Sequence, residues 1–392
     1  MLNSLHINRF RSCHDVRLFS LSEMSALVGR NGAGKTNILQ AVEWLARVVT
    51  GDSTDLNHRE LESGKMSAEF TLGGTSYWYS IDRAVNHSLD EQDEINVSRT
   101  FEEELSAVID GQHQPLMKRD GEFVTLFENA QHVLVSDETS AVYSLLAILP
   151  KTDALRMTLL RIWGFFVDVT YYPLNDSCRP EDVTLILGSD YKQWDSKAWR
   201  GKATTAQTAV MRIIKLCNED EGTFDELKSL LGEDQLGLIS DITVVSVPTG
   251  RNEPKAEKSN NVAYFVEFTP YGHTASFSFD RLSFGTKRIV QLIVSMLADR
   301  ASIALIEQPE DGIHPALLHK LIPLLRAYAT DSQVVIASHA PAVLNRFEPS
   351  EIRIVEMAAG RTYARSLSDV EMNAAQNYLA KEGPLSDFVE LL

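Results

Sequence analysis

Ser25-Ala-Leu-Val-Gly-Arg-Asn-Gly-Ala-Gly-Lys-Thr-Asn-Ile-Leu-Gln40 reads as strand, loop and helix in immediate succession. The apolar run Ala26 to Val28 reaches Gly29, the segment Gly29 to Thr36 fits G-x-x-x-x-G-K-[ST], and Asn37 to Val48 carries apolar residues at helical spacing. That order is the one a phosphate-binding loop needs. Gly29, Gly32 and Gly34 let the backbone turn its N–H groups inward around an anion, and the helix start adds its positive dipole end. Lys35 can reach the β- and γ-phosphates and Thr36 can hold Mg²⁺, with Arg30, Asn31, Ala33 and Asn37 completing the lining. The expected ligands are ATP and Mg²⁺. An ordinary glycine turn before a helix is the competing reading, and the strand and helix flanks disfavour it.

Outward from this segment, 392 residues at 44% hydrophobic give enough apolar material for two or three lobes. No apolar run approaches a membrane span, and Met1-Leu-Asn-Ser-Leu-His-Ile-Asn-Arg-Phe10 lacks the pattern of a signal peptide, so a cytoplasmic protein with no membrane partner is expected. Cys13, Cys178 and Cys217 are far apart, which indicates neither a disulfide framework nor a zinc site. A net charge of -17 repels a phosphate backbone and restricts any nucleic-acid contact to a local patch.

Before the loop, Leu2, Leu5 and Ile7 lead into a hairpin and Val16, Leu18 and Phe19 lead out, with Asn8 to Ser12 as the bend. Arg9 and Arg11 in that bend read equally as phosphate contacts or as surface arginines. After the loop, Met66 to Ile81 alternates around Gly73-Gly74 and predicts a second hairpin. Asp90 to Glu104 is densely acidic and reads as a solvated helix or loop face. Glu122 to Phe127 predicts a strand, Ser140 to Leu149 and Asp153 to Phe166 predict helices, and Val167 to Tyr172 predicts a strand running into Pro173. Asn175, beyond that turn, is a candidate γ-phosphate neighbour. Between Asp190 and Lys202, basic Lys192, Lys197, Arg200 and Lys202 interleave with Trp194 and Trp199. Buried tryptophans are the plainer reading; a nucleic-acid or partner contact is the sharper one. Helices follow at Thr205 to Asn218 and Phe224 to Leu231, then a polar loop at Pro248 to Asn260.

The other half of the machine lies near the C-terminal end. Arg281-Leu-Ser-Phe-Gly-Thr-Lys-Arg288 follows an alternating strand, Thr274 to Phe279, and opens an apolar helix that Ser283 can cap while Gly285 keeps its start bare. Ile303 to Gln308 reads as a buried strand ending in acid: Glu307 can organise the Mg²⁺ shell, and Gln308 or Glu310 can orient water. Gln333 to His339 is a further buried strand with His339 at its tip, placed to sense a γ-phosphate.

Taken together these segments resemble the ABC-type ATPase heads of the RecF, SMC and overlong-nuclease group, particularly the AAA-family ATPases of bacterial anti-phage systems such as Septu, Gabija and certain retrons. The resemblance covers about two-fifths of the chain. Arg11 matches the N-terminal F-[RK]-S element, Gly29 to Thr36 the Walker A, Leu282 to Lys287 the signature motif, Ile303 to Gln308 the Walker B, Glu310 to Pro315 the D-loop, and His339 the switch histidine. It implies an α/β fold with a central parallel sheet, an antiparallel β lobe and a compact helical insertion, the core being split into 1–60 and 275–392 around 61–274. It also implies head-to-tail dimers in which Ser283, Gly285 and Lys287 of one head close over the ATP of the other. Glu307 stands where aspartate is usual, Gln308 where a catalytic glutamate is usual, and Phe284 where glycine is usual. Glutamine can hold water but cannot take its proton, so either Glu310 or another group assists, or the protein hydrolyses ATP slowly and works as an ATP-held clamp.

The leading expectation is an ATP switch that controls a separate effector, a nuclease, in phage defence. The rival from another class is a RecF-like clamp that binds DNA directly, which the acidic balance disfavours. A transporter ATPase subunit is a weaker third.

Overall fold

The computed structural model describes residues 1–51, 62–89, 95–173, 184–197, 205–249 and 262–392. Asn175, Cys178, Trp199, Arg200, Lys202 and most of the 248–260 loop lie outside the described residues, as does 90–94 of the acidic run. In chain order the strands and helices begin with β1 (Leu2–Phe10), β2 (Cys13–Leu18), β3 (Met24–Val28) and α1 (Lys35–Thr50). Next come β4 (Gly64–Leu72), β5 (Thr75–Leu89), β6 (Ile95–Ile109), β7 (Gln112–Asp120), β8 (Phe123–Leu126) and β9 (Gln131–Leu134). Helices α2 (Ala141–Ile148) and α3 (Ala154–Val167) precede β10 (Val169–Tyr172), β11 (Ile186–Leu187), α4 (Gly188–Lys197), α5 (Ala206–Glu219) and α6 (Glu221–Leu231). Then follow β12 (Ile239–Pro248), β13 (Val262–Pro270), β14 (Phe277–Ser278), α7 (Phe284–Asp299), β15 (Ile303–Glu307), α8 (Pro315–Tyr328) and β16 (Gln333–Ser338). The chain closes with α9 (Pro341–Leu344), β17 (Ile352–Ala358), β18 (Arg361–Ser366), α10 (Asp369–Lys381) and α11 (Leu385–Glu390).

Two compact units result: Met1–Val169 with Ser302–Leu305 and Ala329–Leu392, and Thr170–Ala301 with Ile306–Tyr328. The first is built on a sheet of order β10-β15-β16-β3-β17-β18-β2-β1-β4-β5-β6-β7-β8-β9, with β10 and β15 continuing into the second unit. β3 is buried along its whole length, as an apolar run flanked on both sides must be, and pairs parallel with β16 and β17. Beyond β2 the sheet becomes an antiparallel meander in which β4 and β5 turn at Gly73 and Gly74, both at positive φ. α1 buries Ile38, Leu39, Val42, Leu45 and Val49 and stops at Gly51, φ +67.

The acidic run departs from the sequence reading: residues 95–104 are neither helix nor loop but part of β6. Glu103 is fully buried because its carboxylate accepts from Arg119 Nη1 (3.0 Å), Tyr79 Oη (2.5 Å) and the Ala141 amide (2.8 Å). Arg119 donates further to the carbonyls of Gly121, Thr139 and Ser136 and lies 4.5 Å over the Phe101 ring. Burial pushes the Glu103 carboxyl above the usual range even with Arg119 opposing it. The first hairpin is also tighter than expected, with only Arg11 and Ser12 outside its strands.

In the second unit, α5 and α6 pack with α7, and β13 joins β11, β12 and β14 in a small antiparallel sheet. Arg212 of α5 holds Asp299 of α7 through both carboxylate oxygens at 3.0 Å. The strand expected over Thr274 to Phe279 shrinks to Phe277–Ser278, after which a 3₁₀ turn, Phe279–Arg281, leads into α7. Val167, expected in a strand, ends α3 instead.

Candidate nucleotide site

The first unit carries the phosphate loop. Gly32 (φ +79) and Gly34 (φ +101) adopt left-handed backbone, which turns the chain between β3 and α1 and leaves Arg30, Asn31 and Gly32 exposed while Ala33 is buried. Two close approaches fix the glycines. A Cβ at Gly29 would meet the Val355 carbonyl of β17 at 2.0 Å, and one at Gly34 would meet Thr362 Oγ1 of β18 at 2.0 Å. Lys35 is buried, and its Nζ folds back to donate to the Gly29 (2.6 Å) and Arg30 (3.0 Å) carbonyls. The ammonium is therefore held at the mouth of the loop, where a triphosphate is expected. Thr36 and Asn37 begin α1, half-buried.

The β1–β2 turn is fastened to this helix start. Asn37 Nδ2 donates to Ser12 Oγ (2.6 Å), Ser12 Oγ bonds Thr362 Oγ1 (2.7 Å), and the Thr362 amide donates to the Ser12 carbonyl (2.8 Å). Arg11, at φ +50, sends its guanidinium to Glu62 Oε1 (2.9 and 2.7 Å) and to Gln40 Oε1. Register puts Ser338 beside Val28, so exposed His339 follows at the level of Gly29. Thr362 and Val355 escaped the sequence reading, because nothing local marks a strand residue whose role is to crowd a glycine across the sheet.

The second unit carries the signature and D-loop residues together. Ser283 caps α7 by accepting from the Thr286 amide (3.2 Å), and the Lys287 amide donates to the Ser283 carbonyl (2.9 Å). Exposed Phe284 occupies the position usually glycine. Gly285 lies against the D-loop turn, where a Cβ would meet the Gly312 carbonyl at 2.5 Å. Arg288 Nη2 donates to the Gln308 carbonyl (2.9 Å), and Gln308 stands in left-handed backbone, φ +42, which an L residue adopts only when its surroundings enforce it. The turn continues with the Asp311 amide on the Gln308 carbonyl (3.2 Å) and the Ile313 amide on the Glu310 carbonyl (3.0 Å). Tyr171 Oη donates to Glu307 Oε2, a contact with no signal in the sequence.

Of the basic and aromatic patch, Lys192 is exposed on α4, while Trp194 is half-buried with its ring centroid 6.0 Å from that of Tyr191.

With the loop and the signature helix in place, a family match becomes informative. Residues 24–120 and 208–345 match a family described as "AAA domain, putative AbiEii toxin, Type IV TA system". The chain belongs to this family. Membership of the AAA_21 family agrees with the ABC-type P-loop head expected from the motifs, since the matched segments hold the phosphate loop, the signature helix and the acidic strand. Among solved structures, the AAA_21 chain is similar to an SMC head domain from Thermotoga maritima, at 14% identity over 94% of this chain and 99% of that one, TM-score 0.44. It is also similar to an Smc head domain with an extended coiled coil, bound to the C-terminal domain of ScpA derived from Pyrococcus furiosus, at 12% identity over 97% and 99%, TM-score 0.43. No curated protein matches the chain. Among the described residues, no helix is long and apolar enough to cross a membrane.

Proposed function

We propose that the chain is a Mg²⁺-dependent ATP switch that hydrolyses ATP slowly, pairs head to tail with a second copy, and controls a separate effector, a nuclease, in anti-phage defence. The observation that carries the nucleotide reading is the loop itself: left-handed backbone at Gly32 and Gly34, close approaches of Val355 to Gly29 and of Thr362 to Gly34, and Lys35 Nζ bent back onto the loop carbonyls. An arriving triphosphate exchanges those carbonyls for phosphate oxygens, a charge-assisted and stronger partner for the ammonium.

Mg²⁺ is ordinarily bound through one or two carboxylates together with substrate phosphates. The Thr36 hydroxyl and the Glu307 carboxylate fit that demand, and we assign them to it. The ion, when bound, neutralises charge that builds on the β- and γ-phosphates. Gln308 orients the attacking water, and since an amide cannot accept a proton, Glu310 takes it while His339 contacts the γ-phosphate. Ser283, Gly285 and Lys287 present the start of α7 to the nucleotide of the second copy. The core is assigned to 1–60 and 275–392, with 61–274 as lobe and insertion. The family description, which names a toxin of a toxin–antitoxin system, supports the reading that the switch governs a toxic outcome.

The test is steady-state ATP turnover together with native mass, for the parent chain, Lys35→Ala and Glu310→Gln. The expected result is slow turnover lost in both variants, with ATP raising the mass from one copy to two. Turnover that survives Glu310→Gln removes it as the base, and a chain that stays monomeric with ATP refutes the head-to-tail switch.

A further inference from the structure

The β17–β18 hairpin abuts the phosphate loop at two of its glycines, the Val355 carbonyl against Gly29 and Thr362 against Gly34. It closes through Ala359 (φ +49) and Gly360 (φ +75), the left-handed pair that a two-residue type I′ turn demands. Met357 stands opposite Thr362 across this ladder. The Thr362 amide donates away from β17, to the Ser12 carbonyl (2.8 Å), so Met357 and Thr362 form a non-hydrogen-bonded pair, whose side chains lie closest and share a face. That face is the one Thr362 presents to Gly34. Thr362 is wholly buried there, whereas Met357 is 40% exposed.

Sheet order decides what such a side chain can meet. β16 and β17 flank β3 on opposite sides. His339 follows the end of β16 at the level of Gly29. With the γ-phosphate there, as in the reading above on which this inference rests, the nucleoside end of the triphosphate extends over β17 and β18. Ile354 pairs with Val28, so Met357, three residues further, projects about 10 Å past the end of β3 on that side. Polar groups nearby are already engaged, Ser12 with Thr362 and Asn37, and Arg11 with Glu62 and Gln40. An exposed thioether adds polarisable apolar surface with neither charge nor donor, which suits the face of an aromatic ring and not a phosphate.

We propose that Met357 is the side chain against which the base of the bound nucleotide packs, separate from the phosphate contacts made by the loop. The probes are ATP and inorganic tripolyphosphate, each with Mg²⁺, titrated by calorimetry into the parent chain, Met357→Ala and Met357→Leu. Met357→Ala is expected to weaken ATP severalfold, up to about tenfold, and to leave tripolyphosphate within twofold, while Met357→Leu keeps most of the ATP affinity. A second readout needs no variant to bind: the Met357 methyl resonance of the ¹³C-methionine-labelled parent, assigned by its loss in Met357→Leu, should move upfield with ATP under the ring current of the base and stay in place with tripolyphosphate. ATP binding equal in the parent and Met357→Ala, or a methyl resonance that responds alike to both probes, overturns the assignment while the phosphate-loop reading stands on tripolyphosphate binding lost in Lys35→Ala. A methyl shift that grows with protein concentration at saturating ATP places Met357 between two copies of the chain and overturns it equally. A folded parent that binds neither probe removes the loop reading and this inference with it.

Discussion

Gly34→Ala and Gly32→Ala replace glycines of similar backbone in the same loop, yet the surroundings separate them. At Gly32 (φ +79) an added Cβ meets nothing within 4 Å, so only the left-handed backbone opposes it. That costs about 1–2 kcal/mol, or roughly a five- to thirtyfold loss of the loop conformation. At Gly34 (φ +101) the same term applies, but the Cβ would also lie 2.0 Å from Thr362 Oγ1 and 2.8 Å from its Cγ2. Overpacking of that kind adds about 1–3 kcal/mol. The sum, about 2–5 kcal/mol, corresponds to roughly thirtyfold to several thousandfold in affinity. The displaced Thr362 also loosens the Ser12 and Asn37 bonds that fasten the β1–β2 turn. ATP affinity by calorimetry, with urea denaturation of the same samples, reads both effects. Adding Thr362→Gly to Gly34→Ala should bring the loss back toward the Gly32→Ala value. Equal losses for Gly32→Ala and Gly34→Ala, with no response to Thr362→Gly, would refute the reasoning.

Arg119→Met strands the buried Glu103 carboxylate and should destabilise the first unit by about 3–5 kcal/mol in chemical denaturation; a change below 1 kcal/mol would mean that Tyr79 and Ala141 suffice. Tyr171→Phe removes a donor to Glu307, and at unchanged melting temperature it should shift the Mg²⁺ concentration needed for ATP binding severalfold. An unchanged Mg²⁺ titration would leave Tyr171 as packing only. Glu371 accepts from the Ser368 amide and from Arg365, which hold its carboxyl down at about 2 from an ordinary 4.5. A depressed acid contributes stability above its unfolded value and loses it as pH falls through the folded one. Protection of α10 in hydrogen exchange should therefore decline between pH 4.5 and 2, and Glu371→Gln should flatten that decline.

Sequence made the phosphate loop legible because its chemistry is local: β3, the glycines, Lys35 and α1 are contiguous, and each carries its own signal. The same holds for Ser283 as the cap of α7 and for the hairpin at Gly73-Gly74. What escaped depends on partners distant in the chain. Glu103 reads as one more solvated acid until β7 brings Arg119 beside it, so the acidic run became a strand with one buried carboxylate. β17 and β18 have ordinary composition, yet they supply the Val355 carbonyl and the Thr362 hydroxyl that make Gly29 and Gly34 obligatory. Over Thr274 to Phe279 alternation alone suggested a strand, but only Phe277 and Ser278 find a partner, on β13. Arg11 was legible as a turn arginine, while its bonds to Glu62 and Gln40 could come only from the folded chain.

The most direct test of the central claim is equilibrium binding of ATP, with and without Mg²⁺, to the parent chain and to Lys35→Ala. Saturable, Mg²⁺-strengthened binding that falls at least a hundredfold in Lys35→Ala, about 2.7 kcal/mol, is the predicted result. Absence of ATP binding to the folded parent, or binding indifferent to Lys35, would contradict it.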